Sequence, residues 1–336
     1  MKHPDKIIYF MIFMFYILFL SGCPTDPTPP PDAFFQDVFP LDNCFIATFS
    51  LGRTMSLNLV DNTIEPMDTT DGGGALDVSD NYAYVAGWKY LYIYDISDMN
   101  NIVCKSKLSI KHGRDIKVAG DYAYVAEGDY GLCKIDVTDK GHPRITAEYD
   151  TPGYAFDVFL VDNTAYVADW ADGLNIIDIS QENIMTCICT IGLEGITYSA
   201  WVLDNTAYVL NSDDGLAIYN VSNPYSPVFI SKYINGRGAR RIFIDFPYAY
   251  LTGGYVFEGM QILDVGNSAA PQAVSVYQMS DGVTENEYIC YNAAVKSGIA
   301  YLAGGTKYGW YTHARVEMVD VSDPANPVLI AGYTRK

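Results

Sequence analysis

Short runs in which apolar and polar residues alternate cover most of the chain downstream of residue 34. The clearest stretch opens with Phe156-Asp157-Val158-Phe159-Leu160-Val161 and turns at Asp162-Asn163. Thr164-Ala165-Tyr166-Val167-Ala168 follows, then an Asp172-Gly173 turn and Leu174-Asn175-Ile176-Ile177-Asp178-Ile179. Period-two runs rich in β-branched and aromatic residues, separated by turn-forming dipeptides, predict antiparallel strands. The spacing predicts strand a over 156–161, b over 164–168, c over 174–179 and d over 186–190. Helical periodicity is absent, which excludes an α-solenoid or a helical bundle.

This unit recurs. Strand b returns as Ala83-Tyr84-Val85-Ala86, Ala123-Tyr124-Val125-Ala126, Ala207-Tyr208-Val209-Leu210, Ala249-Tyr250-Leu251-Thr252 and Ala300-Tyr301-Leu302-Ala303, with Cys44-Phe45-Ile46-Ala47 as a weaker first copy. The aromatic positions 45, 84, 124, 166, 208, 250 and 301 lie 39, 40, 42, 42, 42 and 51 residues apart. A second run follows each, ending at Asp61, Asp95, Asp136, Asp178, Asn220, Asp264 and Asp320. Four short strands every ~43 residues is the period of a β-propeller blade, and a β-helix repeat would be about half as long. The expected fold is all-β, a seven-bladed propeller of four-stranded antiparallel blades over residues 34–336. Phe45 is expected to take the strand-b tyrosine's place in the first blade. The copies are in phase with both chain ends, so closure is expected to rest on apolar packing between the first and last blades.

These segments, with Leu57-Asn58-Leu59-Val60-Asp61 and Leu174-Asn175-Ile176-Ile177-Asp178 as the fullest copies, resemble the LVIVD-repeat β-propeller proteins of bacteria and archaea. The likeness covers about residues 35–333. It implies a fold and brings little chemistry, because the family's molecular function is largely undefined.

Ahead of the repeats, two lysines precede an unbroken apolar run over residues 7–20. As a helix that run would reach about 21 Å, short of a ~30 Å hydrocarbon core, so it fits a signal-peptide core better than a membrane span. It ends in Leu20-Ser21-Gly22-Cys23, which resembles a bacterial lipobox. Cys23 is then the expected lipidation site, with residues 1–22 removed and residues 23–33 forming a proline-rich spacer. The expected partner is a membrane, reached through the lipid anchor, and the expected place is the cell envelope, on the outer side of a bacterial membrane. The 336-residue chain carries 40 acidic and 21 basic side chains, a net charge of −19, which argues against nucleic acid.

Six cysteines remain beyond Cys23, enough for three disulfides in fifteen pairings or for buried thiols, and their spacing forms no metal signature. No nucleophile elbow, phosphate loop or zinc-protease motif is present, so no catalytic residue, metal or cofactor is expected. The Asp that ends each strand c reads as a cap on the following turn.

Departures from the repeat are the candidate sites. The b–c connection is long in the last unit, through Tyr308, Trp310, Tyr311 and His313, and in the sixth, through Tyr255. Both emerge on the face that carries the d–a loops. Arg114, Arg240 and Arg241 precede or open inner strands on that face, suited either to an anion or to pairing with Asp115 or Asp157. The expected role is a binding or assembly module for a peptide, glycan or protein partner through this loop face. The alternative is a propeller hydrolase or lyase using channel-side carboxylates on an extracellular polymer.

Overall fold

The computed structural model describes residues 35–41, 44–49, 53–60, 63–71, 74–253, 259–280, 288–306 and 314–335. An N-terminal sheet holds β1 (Phe35–Pro40), β2 (Cys44–Phe49), β3 (Arg53–Val60) and β4 (Thr63–Asp71). Next come β5 (Ala75–Ser79), β6 (Tyr82–Ala86), β7 (Tyr90–Asp95) and β8 (Val103–Ser109). The third sheet is β9 (Asp115–Ala119), β10 (Tyr122–Ala126), β11 (Leu132–Asp136) and β12 (Arg144–Tyr149). The fourth is β13 (Asp157–Val161), β14 (Thr164–Ala168), β15 (Leu174–Asp178) and β16 (Thr186–Ile191). The fifth is β17 (Thr197–Leu203), β18 (Thr206–Asn211), β19 (Gly215–Asn220) and β20 (Val228–Tyr233). The sixth is β21 (Arg241–Asp245), β22 (Tyr248–Thr252), β23 (Gly259–Asp264) and β24 (Gln272–Gln278). The last is β25 (Tyr288–Lys296), β26 (Ile299–Thr306), β27 (Ala314–Asp320) and β28 (Val328–Arg335).

Every sheet is an antiparallel meander paired in chain order, so the protein is an all-β propeller of four-stranded blades. Six blades run from β5 to β28, and the N-terminal sheet has the same strand order. Successive inner strands touch, and β1 contacts both β5 and β25, so the inner strands run in a closed cycle. Local chemistry explains the hairpins. Asp80, Asp162 and Asp204-Asn205 adopt positive φ in the two-residue turns between inner and second strands, as the right-handed twist of a tight hairpin requires.

Among the described residues the core is divided into separate clusters. Each wedge between neighbouring blades buries its own apolar cluster, such as Tyr84, Leu91 and Ile93 against Ile116, Val125 and Ile135. The repeated tyrosines 84, 124, 166, 208, 250 and 301 are at most 7% exposed and fill these wedges. Burying a side chain of that size contributes roughly 2 kcal/mol, repeated round the ring.

Two expectations change here. Ile46, not Phe45, takes the tyrosine's place in the N-terminal sheet. It packs on Leu76, Ala83 and Val85 of the following blade, while Phe45 packs back on Tyr301 of the last blade at 5.4 Å. Side chains alternate across a strand, so a one-residue offset exchanges the two faces. Closure is also not apolar alone. Asn292 Nδ2 of β25 donates to Asp37 Oδ1 of β1 at 2.6 Å, between the last blade and the first sheet.

The strand-c aspartates do cap turns. Asp95, Asp136, Asp178, Asp264 and Asp320 each accept from the backbone N–H two residues on, and Asn220 does the same. Hydrogen bonds from the Thr138 backbone and hydroxyl, followed by the Arg144 side chain, hold Asp136 down at about 2. Among the described residues Cys133 and Cys290 are buried, Cys187 and Cys189 partly exposed and Cys104 exposed. The buried-thiol reading therefore fits two of the five. Among the described residues no helix is long and apolar enough to cross a membrane.

Candidate functional site at the channel mouth

The inner strand of a blade is a sheet edge, and its outward N–H groups need acceptors. Side chains from the neighbouring inner strand supply them. Asp37 Oδ2 accepts from Leu76 N at 2.8 Å, Asp77 Oδ2 from Val118 N at 2.7 Å and Asp115 Oδ2 from Val158 N at 3.1 Å. Asp157 Oδ2 accepts from Ala200 N and from Ser199 Oγ, both at 2.9 Å. The strand registers align Asp37, Ala75, Asp115, Asp157, Ser199, Arg241 and Asn292 at one level round the channel.

Four carboxylates gathered there would repel one another, and two cations offset them. Lys117 Nζ lies 3.6 Å from Asp115. Arg241 Nη1 is ion-paired with Asp157 and lies 3.7 Å from Asp115 Oδ1. Burial pushes the carboxyls of Asp37 and Asp157 up to about 6, against the pull of these cations. Burial opposes the charge on Lys117, yet the carboxylates outweigh it and hold the ammonium above its ordinary range. Of the three predicted arginines, Arg241 is thus a structural counter-ion, and the pairing reading wins there. The channel-side carboxylates Asp115 and Asp157 are engaged in clasps and ion pairs.

Arg114 differs. It immediately precedes the ring level, and its guanidinium lies over the rings of Tyr154 at 5.5 Å and Phe156 at 5.0 Å. Among the described residues no carboxylate or hydrogen-bond acceptor meets that guanidinium. Burial, with the charges of Arg241 and Arg240, holds it below the usual arginine range. Arg240 lies over Tyr198 at 5.4 Å, and Tyr198 meets Phe156 edge-on at 6.0 Å.

An aromatic arc continues outward from Tyr154. Its ring meets Trp170 at 5.2 Å and His112 at 6.0 Å, and His112 lies 3.9 Å from Trp88, which is 56% exposed. His112 Nε2 is buried without a hydrogen-bond partner. Burial, then the Arg114 charge, pushes the imidazole down to about 4, so it is neutral at pH 7. Trp170 holds φ 51, and its carbonyl accepts from Thr197 N at 2.8 Å. Positive φ is uncommon for a bulky residue and here presents the indole at the rim.

Sequence reasoning selected Arg114 and Arg240 but missed Trp88, His112, Tyr154, Phe156, Trp170 and Tyr198. A usable signal was the residue just ahead of five of the seven ring positions: Arg114, Phe156, Tyr198, Arg240 and Tyr291. Tyr255, Tyr308, Trp310, Tyr311, His313 and Cys23 lie outside the described residues.

Among the described residues one group could hold a metal ion: Glu127, Cys133 and Glu148, with ligand atoms within 4.8 Å of one another. Lys111 already neutralises it, with Nζ 2.8 Å from Glu148 Oε1 and its backbone N–H on Glu127. Burial also pushes the Cys133 thiol well above its usual range, which leaves it protonated and a poor ligand.

The LVIVD repeat matches residues 73–108, 111–151, 152–188, 194–235 and 316–335. No curated protein matches the sequence. Among solved structures, the computationally designed Ika8 protein aligns with a TM-score of 0.62 at 9% identity, over 90% of this chain and 87% of its own. The periplasmic gluconolactonase PpgL of Pseudomonas aeruginosa gives 0.60 at 11% identity, over 77% and 88%. The Cps50 (Swd1) β-propeller domain of Myceliophteria thermophila gives 0.60 at 12% identity, over 80% and 95%. At these identities the likeness extends to the fold alone.

Proposed function

Because the chain belongs to the LVIVD-repeat proteins, we propose that it is a seven-bladed propeller, the N-terminal sheet counting as a blade, that works as a binding module. Cys23 would carry the lipid that displays it on the outer side of a bacterial envelope membrane. The partner, a peptide, glycan or protein, would meet the loop face at the channel mouth. One observation carries this reading: Arg114 is held between aromatic rings without an anion among the described residues, while nearby Arg241 is neutralised. A desolvated guanidinium with no counter-charge is costly unless a ligand completes it. Arginine and exposed aromatics are also the residue types that dominate binding hot spots. Tyr308 and Trp310, with Tyr255, Tyr311 and His313, are proposed to extend this surface over the last blades. The carboxylates nearest the mouth are already engaged, so a binding role is favoured over hydrolysis. Glycan and peptide arrays probed with the full chain and with an Arg114→Gln/Tyr154→Ala variant test the reading. Loss of the captured ligands with an unchanged melting temperature supports it, and unchanged capture overturns it.

A further inference from the structure

The chemistry of the mouth narrows the ligand class. A guanidinium held over rings offers a planar fork of N–H donors, which matches a carboxylate edge to edge. Immediately below lie four carboxylates, Asp37, Asp77, Asp115 and Asp157, against two cations, Lys117 and Arg241, and the net negative charge opposes a second anionic group entering the channel. One carboxylate is therefore accommodated, not a run of them. Beside the fork the lining is aromatic: Tyr154, Trp170 and the exposed Trp88 form a continuous arc. Ring faces of this kind suit the C–H face of a sugar, with the polar tips left wet.

An extended peptide is less well served. Peptides that lie along a sheet edge gain affinity from main-chain hydrogen bonds, and at this mouth inner-edge N–H groups of Leu76, Val118, Val158 and Ala200 are already taken by aspartates. His112 Nε2, buried and without a partner, adds one unsatisfied polar atom between Trp88 and Tyr154 beneath this lining.

Resting on the binding-module reading, we propose that the mouth takes a glycan bearing an isolated uronate sugar. The carboxylate sits on Arg114, and neighbouring sugars stack along Tyr154, Trp170 and Trp88. The test uses the full chain, with tryptophan fluorescence and calorimetry as readouts. The probes are oligosaccharides carrying one glucuronate on xylose, galactose or glucose backbones, their neutral parents, and pentaglutamate. At least one acidic oligosaccharide is expected to bind tenfold or more tightly than its neutral parent. Arg114→Gln should bring it to the neutral level at an unchanged melting temperature, and Arg114→Lys should recover only part. Trp88→Ala should weaken it several-fold and abolish much of the fluorescence change. Equal binding of acidic and neutral oligosaccharides, or no binding of any acidic one, overturns the proposal. Pentaglutamate captured through Arg114 also overturns the glycan class, but it leaves the binding-module reading standing. That reading fails separately, when array capture ignores both Arg114 and Tyr154.

Discussion

Replacing Arg241 with methionine probes the logic of the channel. The substitution keeps an unbranched apolar stem and removes the charged guanidinium. Arg241 is 19% exposed, and its partners Asp157 and Asp115 are 9% and 4% exposed. The pair is therefore screened far less than a surface ion pair, and breaking it from one side should cost about 3–5 kcal/mol. For a protein of this size that is a fall in melting temperature on the order of 10 °C. The pH dependence is the sharper test. Asp157 already stands at about 6 against an ordinary 3.8, raised by burial and by Asp115 while Arg241 pulls it down. Without Arg241 its folded value moves further up. A carboxyl whose folded pKa exceeds its unfolded one penalises folding fully above the folded value, and the penalty is gone below the unfolded one. The loss on Arg241→Met should thus be large at pH 7.5 and shrink steadily toward pH 5. Adding Asp157→Asn should recover much of it at pH 7.5, because the amide oxygen still accepts from Ala200 N and Ser199 Oγ. Chemical denaturation at both pH values reads the result. A loss below about 1 kcal/mol at pH 7.5 would mean that water screens the channel despite the burial. A loss independent of pH would place the damage in packing, and either result refutes the account.

Other consequences are as direct. Asn292→Ala removes the donor to Asp37 where the last blade meets the first sheet and should cost about 1–2 kcal/mol in denaturant melts. Gly131 has φ +75, and a Cβ there would stand 2.1 Å from the Tyr149 carbonyl oxygen; Gly131→Ala should destabilise by more than about 2 kcal/mol, checked by thermal melting. Trp310→Ala should weaken ligand binding by about 2 kcal/mol in calorimetry and leave the melting temperature unchanged; unfolding instead would make that loop a structural plug. Cys23→Ala should abolish acylation, read by detergent partitioning and mass spectrometry, and continued partitioning would remove the lipid anchor from the reading.

What the sequence determined by itself is local. Period-two alternation specifies strands, Asp-Asn and Asp-Gly pairs specify tight turns, and an Asp or Asn at the end of the third strand of the six blades from β5 to β28 caps its own turn two residues on. These signals act over two to six residues and recur at each blade, so the fourth unit's strands were legible to within about one residue. Repetition then supplied the propeller, because a sheet with two apolar faces must be covered by its neighbours. What only the tertiary structure decided depends on partners far apart in the chain. Arg241 pairs with Asp157 across 84 residues, and no spacing rule distinguishes it from Arg114, which stacks on Tyr154 and Phe156 instead. The exchange of roles between Phe45 and Ile46 was equally hidden, since both are apolar and only the packing of Ile46 on Leu76 and Val85 selects the face. The mouth belongs to the same class: its aromatics come from separate blades, and the packing of successive blades side by side is what brings them to one site.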